Sequence, residues 1–92
     1  KTFLSTLLCL VLILLAGCDS DPKVVRQRYL DSGNRYFNTG KYRQAVIFYK
    51  RALQKDPRFG EAYYRQALAE LKLGKPSDAL RALQRAVELE PN

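Results

Sequence analysis

From Val24 onward, apolar residues recur at spacings of three and four, the period of a helix that buries one face. Tyr29, Gly33, Tyr36 and Phe37 share such a face, and no proline interrupts Val24 to Asn38. Thr39-Gly40 predicts the end of this helix, because glycine accepts the left-handed backbone of a C-terminal cap. Lys41 to Lys55 predicts a second helix, with Ala45, Phe48, Tyr49, Ala52 and Leu53 on its buried stripe. Asp56-Pro57 stops it, since the residue before a proline is pushed away from the helical region. A third helix is expected from about Gly60 to Leu73, with Gly74 as its cap. Pro76 suits the first position of a fourth helix, where its missing N–H costs nothing. That helix should end near Leu89, and the whole pattern is all-α.

The front of the chain reads differently. Residues 2–16 carry no charge, Phe3 to Leu15 are almost all apolar, and Lys1 stands before them. A membrane-spanning helix needs about 20 apolar residues. This run is shorter and meets Asp19 and Asp21 almost at once. A basic start, an apolar stretch of roughly 7–15 residues and small residues before a cut describe a secretory signal peptide. Ala16 and Gly17 are those small residues, and "DSDPK" follows Cys18 as a polar spacer.

The helical part repeats itself. The shift that places Tyr29 on Tyr63 also places Gly40 on Gly74, Lys41 on Lys75 and Ala45 on Ala79, without a gap. Arg51 falls on Arg85, Ala52 on Ala86, Pro57 on Pro91, and Gly33 on the equally small Ala67. A period of this length, with small residues at fixed places, resembles the tetratricopeptide repeat. The resemblance implies a solenoid of stacked antiparallel helix pairs. It divides the chain into a signal peptide at 1–17, a cysteine and linker at 18–25, one repeat at 26–59 and a second at 60–92. Glu70 stands where the family carries an aromatic, so the second repeat matches less well. About three repeats are usually needed to bury a continuous core. Leu80, Leu83 and Val87 should therefore face a further helix, and the chain reads as the N-terminal part of a longer repeat protein or as a piece whose end a partner covers.

"LAGC" (Leu15, Ala16, Gly17, Cys18) resembles the lipobox of bacterial lipoproteins. The resemblance implies that the Cys18 thiol takes a diacylglyceryl group and that cleavage before it makes Cys18 the new N-terminus. The alternatives are an ordinary secretory signal with an incidental cysteine, and an uncut signal anchor. Two acyl chains hold a protein stably on a membrane where one does so only marginally. Cys9 would leave with the signal, so a Cys9–Cys18 disulfide is not expected.

Charge and composition narrow the chemistry. The 92-residue chain holds 16 Lys and Arg, 9 Asp and Glu, and no His, for a net charge of +7. The commonest general base and metal ligand near neutral pH is thus absent. Ser20, Ser32 and Ser77 have no base near them in sequence, and Glu88 and Glu90 do not share a helix face. Ser77 and Asp78 suit the first turn of a helix. With no glycine-rich phosphate loop and no metal spacing, no catalytic residue, cofactor or metal is expected.

Binding is the expected role. In the tetratricopeptide family the first helix of each pair lines a groove for a protein or peptide. Carried over, the groove positions are Gln27, Leu30, Asn34, Phe37 and Asn38, then Glu61, Tyr64, Leu68, Leu71 and Lys72. For Leu30, Phe37, Leu68 and Leu71, plain core packing competes with this role. Asn34, Asn38, Tyr64 and Lys72 are the expected exposed contacts. Asn34 matches one position of the carboxylate clamp of chaperone-binding members, but Leu30 stands where that clamp has Lys, so no such clamp is expected.

Residues 23–58 hold ten Lys or Arg and two acids, whereas residues 59–92 hold five of each. Each cation near an anionic leaflet adds about 1 kcal/mol; the competing reading is a solvated face. Nucleic acid is not an expected partner. The reading that results is a lipid-anchored scaffold of the bacterial envelope, serving assembly or export. Asp19 after the lipidated cysteine resembles the signal that retains a lipoprotein in the inner membrane. The alternatives are a secreted or periplasmic repeat protein without lipid, and the N-terminal part of a larger enzyme subunit.

Overall fold

The computed structural model describes residues 21–90. The expectations for Leu15, Ala16, Gly17, Cys18, Asp19 and Pro91 lie outside these residues. Four helices follow one another: α1 (Pro22–Asn38), α2 (Tyr42–Lys55), α3 (Gly60–Lys72) and α4 (Pro76–Leu89). No strand occurs among the described residues.

Local signals set most boundaries. Asp21 caps α1, its side chain accepting from the Lys23 N–H at 3.0 Å, and Pro22 occupies the first turn. The helix thus starts two residues before Val24 and takes in residues 22–25, which the repeat resemblance assigned to the linker. An Asp-Pro pair is as good a helix start as it is a spacer. At the other end Gly40 sits at φ 77° and Gly74 at φ 71°. In both turns the next residue donates back across the cap, Lys41 N–H to Tyr36 C=O and Lys75 N–H to Glu70 C=O, each at 2.9 Å. Only glycine takes this backbone without strain, so the two turns are the same device used once in each repeat.

Short turns fold α1 against α2 and α3 against α4, and α3 packs on α2 to join the pairs. The first core cluster contains Leu30, Ala45, Tyr49, Ala52, Phe59, Ala62 and Ala69. The second contains Ala67, Ala79 and Ala82, with Tyr63 and Leu83 against it. Alanine dominates because the helices cross closely, and Tyr49 and Leu30 are the largest side chains fully buried. Complete burial of a residue such as Leu30 contributes about 1.5–3 kcal/mol.

The joint between repeats has its own fastening. Arg26, in the second turn of α1, pairs with Asp56 at the end of α2, and its guanidinium lies 4.2 Å from the centroid of the Phe59 ring. Asp56 also accepts from the Arg58 N–H at 3.0 Å. Start of α1, end of α2 and start of α3 are thereby tied at one point. That Arg58 N–H bond, with the Arg26 bond and charge behind it, holds the Asp56 carboxyl below its usual range against the opposing effect of partial burial.

The equivalent faces of α2 and α4 differ because, among the described residues, a further helix packs only on the first. Val46 and Leu53 on α2 are half-buried against α3. Their counterparts in the second repeat, Leu80 and Val87, are 56% and 73% exposed. Leu83 is half-buried, against Ala67 and its neighbours. The face that receives α3 on α2 is therefore repeated, uncovered, on α4.

Candidate groove on the first helices of each pair

α1 and α3 touch each other across the joint, and every groove position lies on them. On α3, Glu61, Tyr64, Leu68, Leu71 and Lys72 fall on one side of the helix. Tyr64 is 47% and Leu71 50% exposed, while Glu61 and Lys72 are open to solvent and Leu68 is half-buried. Leu71 is thus a surface residue rather than core. Glu61 also lies 3.9 Å from Arg65 one turn on, a surface pair worth little by itself.

On α1 the side chains do something else. Leu30, read as a groove contact competing with core packing, is 1% exposed and belongs to the core. It is shut in because α3 lies directly over it, bringing Ala62 and Ala69 into the same cluster. Asn34, expected to be an exposed contact, is half-buried and accepts from the Tyr49 hydroxyl at 2.7 Å. That bond satisfies the phenol inside the core, where an unpaired hydroxyl is costly. Burial pushes the Tyr49 phenol above its usual pKa, with Arg65 opposing and Glu61 reinforcing the shift. Phe37 packs edge-on against Tyr42, ring centroids 5.1 Å apart. Gln27 and Asn38 are exposed, Gln27 donating to Asp31 at 3.0 Å.

Of the expected groove residues, the exposed apolar ones, Tyr64 and Leu71, are on α3, and Tyr64 also lines a hollow with Leu83, Ala86 and Val87 of α4. α1 supplies polar rims at Gln27 and Asn38, with Asn34 held between. Leu30 is apolar and buried, so it offers no charge to a terminal carboxylate.

One buried residue carried a clue that spacing alone did not resolve. Glu70, which replaces the family's aromatic, is 5% exposed, and Gln66 one turn before it is 9% exposed. A charged side chain reads as surface by default, so only its place in the repeat register pointed inward. Among the described residues no group of three or more His, Cys, Asp or Glu forms a metal-binding cluster. No described helix is long and apolar enough to cross a membrane.

A family model described as a tetratricopeptide repeat matches residues 30–92. The chain is 37% identical over 73 residues to sperm-associated antigen 1 of Rattus norvegicus, covering 79% of this chain and 8% of that protein. It is 31% identical over 72 residues to Hsp70-Hsp90 organizing protein 3 of Arabidopsis thaliana, covering 78% of this chain and 13% of that protein. A third relative, TPR and ankyrin repeat-containing protein 1 of Homo sapiens, is 32% identical over 77 residues, 76% of this chain and 3% of its own length. The chain thus spans a small fraction of each of these relatives.

Proposed function

The chain belongs to the tetratricopeptide repeat family, and on that premise we propose that it is a lipid-anchored scaffold of a bacterial envelope. Repeats of this family mediate protein–protein interaction and do not catalyse reactions. The observation that carries the binding site is the exposure of Leu71 on α3, where a solvated helix would carry a polar group, beside Tyr64, which corresponds to Leu30 and is open because no described helix covers it. The ligand is a peptide or helix with an apolar anchor that packs on these two side chains. Its polar flanks meet Asn38 and Lys72 at one end of the groove and Gln27 and Glu61 at the other. The relatives named as Hsp70-Hsp90 organizing proteins support a role in joining proteins.

The anchor rests on the lipobox-like "LAGC" and on the charge-free run before it. The described helices supply no membrane span of their own, so lipid on Cys18 is the attachment this reading uses. The basic first repeat favours a surface of anionic head groups, and Asp19 favours the inner membrane.

The test is titration of a peptide array on the full chain, read by fluorescence anisotropy. Tyr64→Ala and Leu71→Ser should each weaken the peptides that bind by about tenfold, as loss of a buried apolar anchor does, with helix content unchanged. Amidating the C-termini of those peptides should leave affinity as it was. Binding that survives both substitutions places the contact surface elsewhere.

A further inference from the structure

The repeat register sets one face of α1 beside one face of α3. On α3, Ala62 and Ala69 are fully buried and pack with Ala45, Tyr49 and Ala52 of α2. Their counterparts on α1 are Arg28 and Arg35, and both are exposed. Two methyl groups let α3 lie close on α2. Two guanidinium groups under an apolar neighbour would lose their water, and burying an unpaired charge is costly. This face of α1 is therefore not built to receive a preceding helix pair, nor the apolar α4 face of a second copy. It closes one end of the stack.

Aromatic rings share that end. Tyr36 stacks on Phe48 with centroids 5.2 Å apart, and Tyr29 lies 6.3 Å from the same ring. All three are half-buried rather than closed into the core. Arg51 of α2 lies over the Phe48 ring at 4.8 Å, and Arg35 donates to the Ser32 hydroxyl at 3.0 Å. Arg28, Arg35 and Arg51 make no ion pair among the described residues. Asp31, the only acid within α1, already accepts from Gln27. Partly open rings beside such cations suit the head-group region of a bilayer, where aromatic side chains sit at the edge of the hydrocarbon and cations meet phosphate. Cations alone would suit any polyanion. The place of the anchor decides for the bilayer: Asp21 follows Cys18 by three residues, so a lipid on Cys18 would lie within about 11 Å of the cap of α1.

We propose that this end of the stack docks on an anionic bilayer, with Tyr29, Tyr36 and Phe48 at the level of the head groups and Arg28, Arg35 and Arg51 on lipid phosphates. The proposal rests on the membrane anchor proposed above and deepens it by naming the face that meets the membrane. The uncovered α4 face, with Leu80 and Val87, is at the opposite end of the stack and stays clear of the lipid.

The chain has no tryptophan, so a single introduced one reports its own depth. Phe48→Trp and Val87→Trp are compared in the full chain on vesicles whose brominated acyl chains quench indole fluorescence. On phosphatidylcholine vesicles containing phosphatidylglycerol, Phe48→Trp should be quenched and Val87→Trp should not. Replacing Arg28, Arg35 and Arg51 with Gln should lower the ratio of docked to undocked protein at least about tenfold, given what each cation contributes near an anionic leaflet. Salt at about 1 M, where the Debye length falls to about 3 Å, should do the same. If Phe48→Trp loses helix content, Gln44→Trp, one turn earlier on the same side of α2, serves as the probe. Intact mass tests the anchor separately. A chain without lipid overturns the anchor, and the Cys18→Ala chain, expected to show the same difference between the two probes, keeps the docking face under test. Equal quenching of the two tryptophans overturns docking and leaves the arginines to an acidic protein surface or to solvent. Quenching of Phe48→Trp that is the same with and without phosphatidylglycerol overturns it as well.

Discussion

A β-carbon on Gly33 would lie 2.5 Å from Cε1 of Tyr49, whose ring is fully buried. The ring cannot swing away, because its hydroxyl is held by Asn34 and its other side faces the core. In the second repeat the same pair is Ala67 and Leu83, a larger small residue against a smaller large one. Volume is conserved across the seam in both.

Gly33→Ala should therefore destabilise the protein by about 1–3 kcal/mol through overpacking, although alanine gains about 1 kcal/mol of helix propensity. Tyr49→Leu alone should leave a void and an unpaired Asn34. The double variant Gly33→Ala, Tyr49→Leu copies the second repeat and should be more stable than the sum of the single effects. Urea denaturation of the four proteins measures the coupling; simple additivity would mean the two side chains do not constrain each other.

This seam shows how far the sequence could be read. Gly33 and Ala67 were recognisable as close-approach positions from their register, and the four helices from local caps and stops. Gly40 and Gly74 needed no partner to be understood. Residues whose role depends on distant neighbours were harder. Leu30 and Asn34 carry the spacing of a binding surface, yet α3 lies over the first and Tyr49 reaches the second from α2. Arg26 on α1 and Asp56 at the C-terminal cap of α2 are separated by most of a repeat, and nothing in either segment announces the pair. Tyr64 is the counterpart of the buried Leu30, and its exposure depends on whether a further helix covers it, which periodicity alone does not specify.

The acid response should centre on Asp56. Its folded-state pKa is lowered, so it contributes stability above the unfolded value of about 3.9. That contribution is lost as pH falls through the lower folded value. Urea midpoints measured from pH 6 down to pH 2 should fall less steeply below pH 4 in Asp56→Asn than in the parent, the variant starting lower. Parallel curves would assign the acid response to other carboxylates.

The two equivalent faces on α2 and α4 make a paired prediction. Val46→Ser and Leu53→Ser should each cost about 1 kcal/mol, being half-covered by α3. Leu80→Ser and Val87→Ser should change stability by less than about 0.5 kcal/mol in this chain. A designed helix with the pattern of α3 appended after residue 92 should raise Tm and make the last two substitutions as costly as the first two. An unchanged Tm would mean the α4 face does not accept a helix of that type.

Cys18→Ala should block lipid attachment and leave an unprocessed precursor in a bacterial expression host, as seen by intact mass. Release of a protein with the same N-terminus as the parent's would refute the lipidation reading and leave an ordinary secretory signal.

The pairing of Arg26 with Asp56 and Phe59 also decides how the fold bears mechanical load. A pull on the chain at Asp21 runs along α1 and reaches Arg26 within two turns. There the tension passes to Asp56 and Phe59, at the end of α2 and the entry to α3, before the seam between α1 and α2 is peeled open. Stretched between its two ends, the protein should yield at a lower first force in Arg26→Ala than in the parent. A tether at the front of the chain is then not attached to one helix pair alone. It is attached as well to the end of α2 and the entry to α3, where the chain passes into the second repeat.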